Sequence, residues 1–208
     1  PYDITPSAAT GGTFDINNYD VASADGTLTI NKRALTVTAD DDSKTYGDLA
    51  SFNGSEFSSS GLQNGETIGS VTLTSAGAAA TSGVAGSPYD ITPSAATGGT
   101  FDINNYDVTY TDGSLTVNKK ALTVTADNDS KTYDGLAYSN GNGVSFSGFV
   151  NSEDSSDLGG TLSYAGTSQG ATDVGNYVIT PQGYTSANYD ITFTNGALTI
   201  NKRALTVT

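Results

Sequence analysis

The sequence predicts an all-β protein built from tandem small β-sandwich repeats in an elongated rod, with β-grasp-like modules as the alternative. Three observations predict this class. A long phrase recurs with a period of about 85 residues. Short alternating apolar patterns are separated by Gly, Asn and Ser, as is typical of strands and turns. No stretch keeps a helical period, since the alanine-rich residues 75–87 are interrupted by glycines.

The repeat is visible letter by letter. PYDITPSAATGGTFDINNYDV occupies residues 1–21 and returns at 88–108, and the phrase NK(R/K)ALTVT begins at residues 31, 118 and 201. This spacing divides the chain into four parts. They are residues 1–30, the C-terminal part of a truncated repeat; residues 31–117, a complete repeat; residues 118–200, a second complete repeat; and residues 201–208, the first strand of the next repeat.

The boundaries between repeats follow from the phase of the apolar residues. Leu115 and Val117 alternate in one phase, whereas Leu122 and Val124 alternate in the other. One unbroken strand could not bury both pairs on the same face, so the chain should leave one core and enter another. The charged residues 118–120 between the two pairs are therefore predicted to be a short, stiff linker.

Each repeat is predicted to close with a β-hairpin. Asp-Gly or Asn-Gly lies between two alternating patterns, with Asp25, Asp112 and Asn195 as the first turn residue. These dipeptides favour type I′ turns, which need positive φ at both central residues. The same alternation places Tyr19, Tyr106 and Tyr189 on the core-facing side.

Composition excludes several classes of function. The chain has 22 acidic and 8 basic residues, a net charge of −14, and neither Cys, His, Met nor Trp. Nucleic acids and anionic membranes require a basic surface. Disulfides, thiolate zinc sites and the usual general base are also excluded. The glutamates, Glu56, Glu66 and Glu153, form no catalytic pair, so we expect no enzyme.

Two longer phrases resemble known repeat domains. ALTVTADDDSKTYG, followed later by NYDVTYTDGSLTVNK, resembles the MBG-type repeats of bacterial exoproteins. ALTVTADNDSKTYDG, with GNYVIT and NYDITFTNGALTINK, resembles the related YDG-type repeats. Such modules occur in tandem in large surface adhesins, including filamentous-haemagglutinin-type proteins. The resemblance implies Ig-like repeats and a secreted, extracellular location at the bacterial cell surface, and it transfers no catalytic residues.

One acidic phrase is a candidate calcium site. Closely spaced carboxylates after the first strand of each repeat supply the hard oxygen ligands that calcium prefers, and the alternative is a solvated turn. The candidate ligands are Asp40, Asp41, Asp42, Asp127 and Asp129. No other cofactor is expected.

Lys44 and Lys131 recur in the SKTY phrase of the two complete repeats. A lysine amine could form an intramolecular isopeptide bond with Asn or Asp, which would strengthen a stalk under tension. The favoured interpretation is an ordinary lysine on an edge strand, whose charge discourages pairing with another sheet.

These observations predict a structural stalk or spacer of a repetitive adhesin or surface filament, whose partners are neighbouring repeats of the same long chain. One alternative is a glycan- or mucin-binding module. The other is a filament subunit that associates head to tail, in which the C-terminal strand of one copy, residues 205–208, pairs with the N-terminal part of the next.

Overall fold

The computed structural model describes residues 1–207, which form β-strands, loops and isolated 3-10 turns. The predicted all-β class is confirmed. Within these residues no helix is long and apolar enough to cross a membrane. The four 3-10 turns are Ile16–Asn18, Val84–Gly86, Ile103–Asn105 and Ser155–Asp157.

The strands fall into one pair followed by two sets of seven. The pair is β1 (Tyr2–Ile4) and β2 (Gly26–Leu28). The first set, here the first repeat, comprises β3 (Arg33–Ala39), β4 (Asp42–Thr45), β5 (Phe57–Ser60), β6 (Ile68–Thr74), β7 (Tyr89–Gly99), β8 (Tyr106–Thr111) and β9 (Gly113–Asn118). The second repeat comprises β10 (Lys120–Ala126), β11 (Asp129–Thr132), β12 (Val144–Ser147), β13 (Gly159–Ala165), β14 (Gly175–Thr185), β15 (Tyr189–Thr194) and β16 (Gly196–Asn201).

Both repeats have the same topology. In the first, a three-stranded sheet has the order β5-β3-β8 and a four-stranded sheet the order β4-β9-β7-β6. The corresponding orders in the second are β12-β10-β15 and β11-β16-β14-β13. The pairs β3–β8 and β4–β9 are parallel. This mixed pairing departs from the antiparallel sheets of an immunoglobulin sandwich, so the Ig-like and β-grasp-like assignments both stay predictions.

The parallel pairs show that two segments run side by side through each repeat. The offset between paired residues is 73 in both pairs, for example Arg33 with Tyr106 and Asp42 with Leu115, so the register continues unchanged through the short connections. The strands that flank each connection lie in different sheets and are not paired with each other, so neither connection is a hairpin. Residues 33–45 and residues 106–118 therefore change from the smaller sheet to the larger one half-way along. The repeat consequently has a first end, where β3 and β8 begin, and a second end, where β4 and β9 finish.

The hairpin prediction is wrong at Asp112-Gly113 and at Asn195-Gly196. In each repeat the two strands flanking the dipeptide belong to different sheets, and neither glycine has positive φ. Glycine is required here for a different reason. A Cβ atom at residue 113 would lie 2.6 Å from the carbonyl oxygen of Asp40, and one at residue 196 would lie 2.6 Å from that of Ala126. At this contact both segments cross from the smaller sheet to the larger one, side by side, and we call it the crossing.

The apolar residues of both phases are buried, but the prediction that they enter separate cores is wrong at the boundary, where Val117 and Leu122 share one cluster. Leu115 and Leu122, which lie in opposite phases, are both fully buried. The strands β9 and β10 are separated by Lys119 alone, so the outer residues of the predicted linker belong to strands. The main cluster of the first repeat contains Leu35, Val37, Val71, Ala96 and Tyr106, and that of the second contains Ala126, Ala171, Ile179, Leu198 and Ile200.

The two ends of the described chain keep less of this packing. The pairing of β1 with β2 sets Tyr2 opposite Leu28, which repeats the register of Tyr89 opposite Leu115. Tyr19, predicted to face a core, is 63% exposed because no counterpart of β3 packs on it. Residues 202–207 follow β16 without strand pairing, and Thr208 lies outside the described residues.

The requirement for glycine at the crossing can be tested by adding one methyl group. In Gly113→Ala the new Cβ meets main-chain oxygen atoms, so we expect the free energy of unfolding to fall by about 1–3 kcal/mol. The matched control is Gly26→Ala, where the nearest atom to the new Cβ is 3.7 Å away. Denaturation in urea should leave this control unchanged, and equal effects of the two substitutions would contradict the requirement for glycine at the crossing.

Candidate functional site

One apolar cluster contains residues from both repeats. Tyr46 and Val117 of the first repeat and Leu122 and Tyr189 of the second are buried together. Partly buried side chains complete the cluster: Val84, Tyr89, Phe149, Val150, Leu158 and Ile191. We call this cluster the joint. Because it continues the core of one repeat into the other, it is the site where the structure fixes their relation.

Tyr46 is the central residue that the first repeat supplies. It follows β4 directly, and its backbone N–H donates to the carbonyl of Asn118 at 2.9 Å, which anchors it beside the end of β9. Its ring centroid lies 5.6 Å from that of Tyr189 at an interplanar angle of 87°. Phe149 contacts the Tyr189 ring in the same edge-to-face manner at 5.5 Å. Such pairs stabilise packing beyond the area they bury.

The carboxylate of Glu153 joins the two tyrosines. The Tyr46 hydroxyl donates to Oε1 and the Tyr189 hydroxyl donates to Oε2. The backbone N–H of Val150 donates to the Tyr189 hydroxyl oxygen at 3.1 Å. Hydrogen bonds to an ionised acceptor are stronger than neutral ones, so one side chain of the second repeat holds hydroxyls from both repeats.

The loop that presents Glu153 has a defined backbone. Within residues 148–153, Gly148, Asn151 and Ser152 have φ values of 121°, 56° and 63°. Glycine and asparagine adopt positive φ most readily, which explains Gly148 and Asn151 in the GFVNSE phrase. The turn places the Val150 N–H and the Glu153 carboxylate on the same tyrosine.

Polar contacts and a close approach surround the cluster. The Asn188 side-chain oxygen accepts from the backbone N–H of Val84 at 3.0 Å, and the Asn151 amide donates to the carbonyl of Ala80 at 3.3 Å. A Cβ atom at Gly47, whose φ is 93°, would lie 2.6 Å from a methyl carbon of Val150. The two repeats therefore meet without room for a side chain at residue 47.

The candidate calcium ligands lie at the crossing, and three of them accept hydrogen bonds. Asp42 accepts from the backbone N–H of Ser43 at 2.7 Å. Asp41 accepts from the backbone N–H of Ser114 at 2.7 Å and from its hydroxyl at 2.8 Å. Asp129 accepts from the Tyr138 hydroxyl at 2.8 Å. Within residues 1–207 no three acidic side chains are grouped so that they could hold a metal ion. The calcium assignment of Asp40, Asp41, Asp42, Asp127 and Asp129 stays a prediction.

Position 41 also explains a difference between the repeats. Asn128, its counterpart, uses its side-chain oxygen to accept from the backbone N–H of Ala197 at 2.8 Å. Aspartate and asparagine both supply an oxygen that caps the start of the strand after the crossing. The hydrogen bonds from Ser114 hold the pKa of Asp41 below its usual range.

The two recurring lysines differ in their surroundings. Lys44 lies on the edge strand β4 and is only 7% exposed; its amine donates to the carbonyls of Asp48, at 3.2 Å, and Ala79. Burial lowers the pKa of Lys44. Lys131 instead forms an ion pair of 2.7 Å with Asp134. The isopeptide hypothesis stays untested.

Sequence reasoning missed the joint. From the sequence, Glu66 and Glu153 stand out only as carboxylates that form no catalytic pair, and Tyr46 is not among the candidate residues. A signal was present, because GLQNGE at 61–66 and GFVNSE at 148–153 share a glycine, an apolar residue, an asparagine and a glutamate at an offset of 87 residues. What could not be seen was the residue that each glutamate meets.

Comparisons with known proteins give a family match. The model of the MBG domain (YGX type) matches residues 35–116 and again residues 122–199. A solved structure of a cell surface adhesin from Lactobacillus reuteri is similar at 24% identity, covering 41% of this chain and 99% of that chain, with a TM-score of 0.28. A search of curated proteins found no match.

The joint can be tested by removing one hydroxyl. Tyr46→Phe leaves Glu153 with a single tyrosine donor, so we expect unfolding in urea to become easier by about 1.5–3 kcal/mol, the range for hydrogen bonds to charged groups. The counterpart Tyr133→Phe should have no effect, since Tyr133 is 41% exposed. In a double-mutant cycle with Glu153→Ala, which removes the acceptor, the two changes should be strongly non-additive. Additive effects would contradict a direct bond between these side chains.

The joint should also respond to alkaline pH. Burial and the bond to Glu153 raise the pKa of Tyr189 from 10.0 to about 12, and the same two causes raise the pKa of Tyr46. Because the folded state favours the neutral phenol, this stabilisation is complete below pH 10 and is lost as the pH rises to about 12.

The ionisation of Tyr189 can be followed by the chemical shift of its ring carbon attached to oxygen, in parallel with urea denaturation at each pH. In Glu153→Gln the midpoint should move to lower pH, because a neutral acceptor no longer opposes the phenolate. An unshifted midpoint in the wild-type chain would contradict the buried, charge-bonded state of Tyr189.

Proposed function

The chain belongs to the MBG domain family (YGX type), and from this premise we propose that it is a stiff spacer segment of an extracellular, repetitive bacterial adhesin or surface filament. The observation that carries the proposal is the joint, in which Tyr46, Tyr189 and Glu153 connect two consecutive repeats. The role is mechanical: the repeats set a distance and an angle between the parts of a longer protein. No catalytic step is involved.

Stiffness follows from how the repeats are connected. Lys119 alone separates β9 from β10, so there is no slack through which the second repeat could rotate freely. Bending the pair would break the bond from Tyr46 to Glu153 and would expose the apolar cluster to water. A flexible tether would lack both the short connection and the shared core.

The charge of the chain supports the same role. A net charge of −14 on 208 residues makes the repeats repel one another except where the joint holds them. Repulsion keeps a row of similar repeats extended and discourages association between rows. Neighbouring repeats of the same long chain are therefore the partners we propose.

The stiffness can be measured between two spin labels. The chain has no cysteine, so a label can be placed on a cysteine at Ser58 and another at Ser145, which are exposed counterparts in β5 and β12. Electron–electron double resonance should give one narrow distance distribution. Gly47→Ala should broaden it, because the new methyl group collides with Val150. Gly135→Ala is the matched control: its φ is also positive, 78°, but its Cβ would meet nothing within 4 Å.

The other outcomes separate the alternatives. A broad distribution in the wild-type chain would contradict the spacer. A narrow distribution that broadens with chelator and recovers with calcium would establish the predicted acidic ligands as a stiffening site. Oligomers that grow with concentration would favour head-to-tail strand pairing, in which the β3–β8 register sets Leu205 of one copy opposite Val21 of another. Saturable binding to mucin glycans would favour a binding module.

A further inference from the structure

The two halves of the joint also occur separately. The first half is the Tyr46 end of a repeat, and the second is the Glu153–Tyr189 end. The second repeat has its own counterpart of the first half, Tyr133, and the first repeat has its own counterpart of the second half, Glu66 with Tyr106. Within residues 1–207 these two counterparts do not meet a joint partner. They show the hydrogen bonds, backbone angles and exposure of each half when no partner is bound.

The acceptor half is already formed without its partner. The Tyr106 hydroxyl donates to Oε2 of Glu66, and the backbone N–H of Gln63 donates to the Tyr106 hydroxyl oxygen at 3.0 Å. These are the bonds that Tyr189, Glu153 and Val150 make in the joint. Within the described residues Oε1 of Glu66 has no hydrogen-bond donor, whereas Oε1 of Glu153 receives the Tyr46 hydroxyl.

The backbone of the acceptor loop is also the same in both repeats. Gly61 and Asn64 have φ values of 118° and 53°, against 121° and 56° for Gly148 and Asn151. The first repeat therefore holds the geometry of an occupied acceptor without a tyrosine from a neighbour. Docking requires no rearrangement of this loop.

The donor half is formed in the same way. The backbone N–H of Tyr133 donates to the carbonyl of Asn201 at 2.8 Å, as that of Tyr46 does to Asn118 at 2.9 Å. The position of the residue at the end of its repeat is thus identical, but its exposure differs: Tyr133 is 41% exposed and Tyr46 only 3%. An open groove of about 340 Å³ lies beside it, lined by Tyr133, Asp173, Val174, Lys202 and Arg203.

We propose that the Tyr133 end of the second repeat is a docking surface for the Glu66–Tyr106 end of another repeat of this kind. The Tyr133 hydroxyl would donate to the open oxygen of Glu66, and Val174 and the Tyr133 ring would be covered by the acceptor loop. Lys202 and Arg203 line the groove together with Asp173. The exposed ring and the open groove are thus explained by one occupant, whose counterpart is seen at the joint.

Residues 1–30 precede the Glu66–Tyr106 end, but they do not supply a tyrosine that could donate to Oε1 of Glu66. They repeat residues 88–117, so they contain counterparts of Tyr89 and Val117, which are Tyr2 and Ile30, but none of Tyr46. Tyr2 and Ile30 are 64% and 70% exposed, although Tyr89 and Val117 pack in the joint. Residues 1–30 also lack counterparts of β3 to β6, so they do not reproduce the donor half. This inference rests on the joint that also supports the proposed function.

A longer chain built only from this sequence tests the proposal. NKRALTVT at 201–208 is identical to NKRALTVT at 31–38, so a second copy can continue at residue 39 without a foreign residue. The second copy carries Tyr133→Phe, so that nitration at residue 133 is measured in the first copy alone. Nitration by tetranitromethane, followed by peptide mass spectrometry, should show Tyr133 falling to the slow rate of Tyr46. In the 208-residue chain Tyr133 should react fast and Tyr46 slowly.

A second variant isolates the acceptor. Glu66→Ala in the second copy should restore fast nitration of Tyr133, and circular dichroism of the same variant in the 208-residue chain should show that the repeat remains folded. Protection in the longer chain alone identifies a covalently linked repeat as the partner. Protection that also develops in concentrated 208-residue chain, and is lost on dilution, identifies a separate copy.

The outcome that overturns the inference is fast nitration of Tyr133 in the longer chain while Tyr46 stays protected. That result would leave the spacer proposal intact, because Tyr46 reports the joint on which it depends. Fast nitration of both tyrosines in every chain would instead overturn the joint and the proposed function together.

Discussion

The crossing, where residues 33–45 approach residues 106–118 in the first repeat, is the contact on which the other features of each repeat depend. Because Gly113 has no side chain, the main chain at Ala39 and Asp40 can approach it closely, and the two parallel segments change sheets at the same level. The segments can therefore run from one end of the repeat to the other. Tyr46 is carried to the second end by β4, and Tyr106 is held at the first end by the start of β8.

The joint is a consequence of this arrangement. A repeat that turned back in a hairpin at Asp112-Gly113 would return the chain to the end where it began. The continuous path instead delivers Asn118 to the far end, where one residue leads into β10. The last strand of one repeat and the first strand of the next then contribute Val117 and Leu122 to the same cluster. Short connection and shared core have a single cause.

Glu153 shows how an acidic chain can use a carboxylate at an interface. Glu153 is half-buried, and withdrawing a carboxylate from water costs free energy unless hydrogen bonds satisfy it; here two tyrosine hydroxyls do so. The tyrosines supply apolar rings to the cluster and polar tips to the carboxylate, so one residue type serves both needs. No basic residue is required, which suits a chain with 8 basic side chains against 22 acidic ones.

The sequence by itself determined the repeat, the all-β class and much of the core. The period is visible as identical residues at fixed offsets. The alternation of Leu35 with Val37, or of Leu198 with Ile200, depends only on the two-residue period of a strand. Tertiary structure alone decided the role of the glycines and of Glu153. Asp-Gly favours a type I′ turn when only local energies act, but Gly113 is required by a main-chain contact with residues far away in sequence. Glu153 likewise acquires its role from Tyr46, 107 positions earlier. Local preferences are encoded in neighbouring letters, whereas a contact between distant segments exists only after the chain has folded.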